Sequence, residues 1–183
     1  MKHKPLKQKY MEDVRQKLGE ELKVANVMAL PQITKIVVNM GTGERLRDKN
    51  AKEKLMAELA AITGQKPKVQ VAKTSIAGFG VREGMPVGLT VTLRGAKMYD
   101  FLERLISVVL PRLRDFRGLP NKSFDMAGNY TLGVAEHTVF PEVDLARVDR
   151  PHGLELTIVI KNSDPVKSKL MLEMLGMPFE KTE

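Results

Sequence analysis

Apolar side chains recur every fourth residue near the start of the chain: Leu6, Tyr10, Val14, Leu18 and Leu22. That spacing predicts one amphipathic helix over 6–22, which Gly19 weakens but does not break. The pattern then changes. Residues 33–40, ITKIVVNM, are rich in β-branched side chains and read as a buried strand ended by Gly41-Thr42-Gly43. A second helix is predicted over 48–62. Asp48 is its cap, Leu55, Leu59 and Ile62 lie on one face, and Gly64 is the stop. Strands follow near 67–73 and 87–94, then a helix over 96–110 that Pro111 ends. Residues 112–128 read as irregular. Two more strands fit 130–135 and 154–161, and Asp164-Pro165 opens a last helix that closes at Gly176.

Helices and strands mix without strict βαβ alternation. The pattern therefore predicts an α+β fold, a sheet with helices packed on one face. No repeat, low-complexity run or linker interrupts it, so residues 1–183 are expected to form a single domain.

Charge changes this picture most. The 183 residues carry a net charge of +8, and the pI is about 9.7. Residues 1–94 hold 18 basic and 9 acidic side chains, whereas residues 95–183 hold 12 and 13. A one-sided basic excess points to an anionic partner, most often nucleic acid, bound through the first half. Cysteine is absent, which excludes disulfides, thiol catalysis and cysteine-ligated metals. No apolar run approaches the roughly 20 residues of a bilayer span, and MKHKPLKQKY has no apolar signal core. A cytoplasmic protein with no membrane partner is the expectation.

Candidate catalytic chemistry is thin. Gly41-Thr42-Gly43 sits where a dinucleotide fingerprint would, but Leu46 occupies the third glycine position. It reads as a turn that needs small residues. His3, His137 and His152 are far apart in the chain and lack metal-ligand spacing, so they read as surface or hydrogen-bonded groups. No nucleophile elbow is present. The expectation is a protein that is not an enzyme and uses no cofactor or metal.

Two stretches carry more. In 64–95, two β-rich arms enclose a glycine-rich loop containing Lys73, Thr74, Ser75, Phe79 and Arg82. Its cations suit phosphates and its hydroxyls suit phosphate or sugar. Phe79 either stacks on a base or ribose or packs on the protein's own core; the residues leave both open. Gln65, Thr90, Thr92 and Arg94 fall in period two and, with Asn39, are expected to share one outward sheet face. In 111–130, Arg112, Arg114, Arg117 and Lys122 interleave with Phe116 and Phe124. The cations suit RNA phosphates and the phenylalanines suit core anchors.

The runs NMGTGE (39–44), ITGQKP (62–67), GMPVGLTVTLRG (84–95), LPRLRDFRGL (110–119), SFDMAGNYTLGV (123–134) and FPEVD (140–144) stand in that order. With the closing LGMPFEK (175–181), they resemble the large-subunit ribosomal protein five family over nearly the whole chain. LPRLRDFRGL and the MPF ending resemble the bacterial branch, while FGVREG (79–84) and GVAEH (133–137) lean toward the archaeal pattern.

The resemblance implies an α+β fold whose sheet is antiparallel-rich, with helices packed on one face and long RNA-contacting loops, in a structural constituent of the large ribosomal subunit that supports translation, cytoplasmic and ribosome-bound. It implies 5S rRNA bound at Asn39, Gln65, Thr90, Thr92 and Arg94, with a link to 23S rRNA in the central protuberance. The loop from Lys73 to Gly84 would reach peptidyl-site tRNA. The second half would join an intersubunit bridge to small-subunit protein thirteen, and other large-subunit proteins would be neighbours. This chain departs from the family's basic pattern at Thr74, Gly80, Met126, Ala127, Ala135 and His152. A free RNA chaperone outside the ribosome is the alternative, and a small enzyme acting on a phosphorylated or RNA substrate is a third reading.

Overall fold

The computed structural model describes residues 4–24, 26–43, 46, 48–114, 116–148 and 150–180. His3, and the motif positions Glu44, Asp115 and Lys181, lie outside the described residues.

Helix α1 runs as Leu6–Lys9, a wider π-helical segment Tyr10–Val14, and Arg15–Glu21. Its buried residues are Leu6, Tyr10, Val14 and Leu18, the every-fourth stripe. Strand β1 is Gln32–Gly41, helix α2 Lys49–Thr63, strand β2 Lys68–Val71 and strand β3 Pro86–Leu93. Helix α3 runs as Gly95–Arg104, a π segment Leu105–Val109, and Leu110–Arg112. Strand β4 is Tyr130–Val134, strand β5 Leu154–Lys161 and helix α4 Pro165–Leu175.

The five strands form one open antiparallel sheet in the order β2-β3-β1-β5-β4. Along β3 and β5, residues of one parity (Leu89, Val91, Leu93; Leu154, Leu156, Ile158, Ile160) are buried and those between are not. One face of the sheet is thus covered and the other is open. The fold class is α+β, as the pattern of elements predicts.

The described residues group into two compact units. One draws on Met1–Ile36, Leu93–Leu132 and Thr157–Glu183, the other on Val37–Thr92 and Gly133–Leu156. Within the first unit, α1 meets α3 at the Tyr10 and Tyr99 rings, 6.0 Å apart. The backbone N–H of Leu6 donates to Glu103 at 3.1 Å, and Lys9 Nζ donates to the Leu175 carbonyl at 3.3 Å, a cation at the end of α4. The Phe124 ring lies tilted against Tyr130 (4.6 Å) and stacks on Phe179 (5.7 Å). Burial pushes the Tyr130 hydroxyl up to about 12, and it donates to the Pro120 carbonyl at 3.2 Å. Within the second unit, α2 buries Leu55, Leu59 and Ile62.

One boundary differs from the sequence reading. Pro111 does not end α3, which continues to Arg112. The π segment immediately before it supplies the reason. A widened turn moves the carbonyl four residues back out of the proline ring's path, and the missing N–H falls where regular bonding is already broken.

Candidate nucleic-acid interface

The open sheet face of the second unit gathers most of the polar residues singled out in the sequence. Thr90 Oγ1 donates to Asn39 Oδ1 at 2.6 Å across the β1–β3 pair. With that oxygen engaged, Asn39 offers its N–H donors outward. Gln65 Nε2 donates to the Thr92 carbonyl at 3.4 Å, leaving its own carbonyl oxygen as an acceptor. Asn39, Thr90 and Thr92 are half-buried and Gln65 is exposed. The helix leading to Gln65 is turned there by Gly64 (φ 64°, ψ 20°), a left-handed cap that favours glycine. Gly88 lets β3 lie close to β1, because a Cβ there would sit 3.1 Å from the Met40 carbonyl oxygen. Donors, acceptors and hydroxyls without net charge suit ribose hydroxyls and base edges of folded RNA. Arg94 is exposed in the first unit, where its extended backbone opens α3.

Register adds two residues that the sequence reading missed. Lys68 lies opposite Thr90 and Gln70 opposite Gly88, so both project on the same open face. Period-two counting within β2 could have found them once Thr90 was placed. The antiparallel partner was the missing information.

The loop from 73 to 84 is a bonded extension of the β2–β3 hairpin. The Ala72 N–H donates to the Met85 carbonyl at 2.8 Å, and Ile76 and Val81 exchange bonds of 2.9 and 3.2 Å. At its tip Gly80 takes φ 61° and closes the turn Ala77–Phe79. Phe79 is 77% exposed, which excludes the core-plug reading of this ring. Lys73, Thr74 and Arg82 are exposed, and the Ser75 hydroxyl oxygen accepts from the Glu83 N–H at 2.9 Å. Lys73 and Arg82 are therefore brought onto one hairpin with an exposed ring between them.

Arg112, Arg114, Arg117 and Lys122 are all exposed in the first unit, with no ion pair among the described residues. Their loop is pinned from below. The Leu119 N–H donates to the Pro178 carbonyl at 2.8 Å and the Glu180 N–H returns to Leu119 at 3.0 Å. Phe124 is the core anchor expected of it, through its contacts to Tyr130 and Phe179.

The structure decides between the two readings of the histidines in favour of hydrogen-bonded groups. His137 and His152, fifteen positions apart, come together with ring centroids 5.9 Å apart. His137 is fully buried, not on the surface. Its Nδ1 accepts from the His152 N–H at 3.0 Å, which puts the ring hydrogen on Nε2, 3.2 Å from Glu58. Loop return after β4 brings them together, a contact that linear spacing does not encode. Among the described residues, no group of three or more His, Cys, Asp or Glu side chains could hold a metal ion. No described helix is long and apolar enough to cross a membrane.

Comparison with known proteins matches residues 26–82 to "Ribosomal protein L5" and residues 86–179 to "ribosomal L5P family C-terminus". The large ribosomal subunit protein uL5 of Acidobacterium capsulatum is 51% identical over 177 residues, covering 97% of each chain. That of Corynebacterium urealyticum is 49% identical over 96% of this chain and 91% of its own. That of Corynebacterium diphtheriae is 47% identical over 97% and 95%. Two family matches that together run from 26 to 179, and bacterial relatives near 50% identity over almost the full length, place the chain in the uL5 family of large-subunit ribosomal proteins.

Proposed function

We propose that this chain acts as a structural constituent of the large ribosomal subunit that binds 5S rRNA through Asn39, Gln65, Thr90 and Thr92, with Arg94 contributing a cation. The observation carrying this reading is the uncharged polar cluster on an open sheet face, centred on the 2.6 Å Thr90–Asn39 bond. A neutral, pre-organised set of donors and acceptors fits the ribose-rich minor groove of RNA better than a purely cationic patch. The exposed arginines from Arg112 to Arg117, with Lys122, supply phosphate contacts that link 5S to 23S rRNA. The hairpin from Lys73 to Gly84 reaches peptidyl-site tRNA, with Phe79 as a stacking ring. The second half, near neutral in charge, meets protein, including small-subunit protein thirteen at an intersubunit bridge. The protein works bound to the ribosome.

A gel shift with 5S rRNA across a salt series tests the site. Asn39→Ala and Arg94→Ala are each expected to weaken binding, Arg94→Ala with a salt slope lower by about one. Variants indistinguishable from wild type would sink the assignment. Sedimentation with the large subunit after a high-salt wash separates this reading from a free RNA chaperone, which would be left in the supernatant.

A further inference from the structure

Helix α2 carries a second polar stripe beside the one it buries. Lys49, Lys52, Glu53 and Met56 follow at i, i+3, i+4 and i+7, so they share one helical face. Lys66, beyond the Gly64 cap, closes over that face, and these five residues line one shallow groove. The groove holds three ammonium groups against one carboxylate. Lys49, Lys52 and Lys66 form no ion pair among the described residues. Two of them occupy the first turn of α2, which contains no acidic residue. A cation there faces the positive end of the helix dipole and lowers helix stability rather than raising it. The Asp48 cap, accepting from the Asn50 N–H at 3.1 Å, opposes that potential. Three ammonium groups lining one groove, with a single carboxylate among them, make a local attraction for polyanions.

The groove also has a neighbour. Lys66 is two residues from Lys68, and Lys68 opens β2, the edge strand of the sheet, directly opposite Thr90. Around that edge the cationic surface runs from the polar sheet face onto α2, all within the second unit. We propose that the RNA-binding surface does not stop at the sheet face: it wraps the β2 edge, and Lys49, Lys52 and Lys66 hold backbone phosphates of the same RNA. The inference rests on the RNA-binding reading of the sheet face. Spaced ammonium groups on flexible stems suit phosphates along a backbone, and bear on affinity and salt dependence, not on sequence choice.

The test measures 5S rRNA affinity against salt for wild type, for Lys49→Gln/Lys52→Gln/Lys66→Gln, and for the matching triple arginine variant. Glutamine is a good helix former, and circular dichroism melting checks that both variants keep α2. The glutamine variant is expected to lose about three units of salt slope, about one per phosphate contact, while the arginine variant keeps it. An unchanged slope in the folded glutamine variant would overturn the inference. Failure of the underlying reading looks different: the wild-type protein itself would then show no salt-sensitive binding to 5S rRNA.

Discussion

A Cβ placed on Gly128 would lie 2.6 Å from the Ser168 hydroxyl oxygen and 2.9 Å from the Asp164 carbonyl, at φ +78°. Gly118 is equally confined, at φ +115° and 2.7 Å from the Glu180 nitrogen. Both positions combine a left-handed backbone with backbone neighbours that cannot move aside. Gly128→Ala and Gly118→Ala are therefore expected to lower stability by about 1–3 kcal/mol each. Gly78 has no positive φ, and a Cβ there would meet no atom within 4 Å beyond its chain neighbours, so Gly78→Ala should stay within about 0.5 kcal/mol of wild type. Urea unfolding of the three variants checks this, and equal losses at all three would refute it. In the sequence these are three of 14 glycines with nothing to rank them. The ranking comes from Glu180, Asp164 and Ser168, which are remote along the chain. The same distance hid the His137–Glu58 contact.

Elements were far more legible, because their signals are local. The Asp48 and Asp164 caps, the Gly64 and Gly176 stops and the apolar stripe of α1 from Leu6 to Leu18 all stand as the sequence predicts, while Leu22 falls just past the helix end, half-buried. The two π segments were not legible, since a widened turn leaves the apolar spacing almost unchanged. The α4 cap also yields a pH test. The Lys167 ammonium, and then the Lys167 N–H, hold the Asp164 carboxyl below its ordinary 3.8. A depressed folded-state value stabilises the fold above 3.8, and this stabilisation disappears as pH falls through the depressed value. Asp164→Asn keeps a capping oxygen but not the charge. It should be less stable than wild type at neutral pH, with the gap closing in strong acid. Asp164→Ala also loses the cap and should cost about 1 kcal/mol. Thermal melts across pH decide, and a gap for Asp164→Asn that does not change with pH would reject the linkage.

For the whole molecule, the basic first half separates into two surfaces: a polar sheet face edged by Lys68 that continues around β2 onto the α2 groove, and an exposed hairpin. These should fail independently. Lys73→Ala and Arg82→Ala are expected to weaken tRNA contact and spare 5S rRNA binding, because the hairpin carries both side chains away from Asn39 and Thr90. Parallel filter-binding of the two RNAs measures it, and an equal loss for both would reject the division. By itself the sequence determined the α+β class, the element order, the caps and the family, since each rests on short-range periodicity or on ordered motifs. It also pointed to an anionic partner, because net charge needs no coordinates. Only the tertiary structure decided which polar residues meet. Strand pairing joins Thr90 to Asn39 and sets Lys68 opposite Thr90, loop return buries His137, and exposure frees Phe79. Those outcomes depend on contacts between residues distant in the chain, where register and burial act and local pattern has no reach.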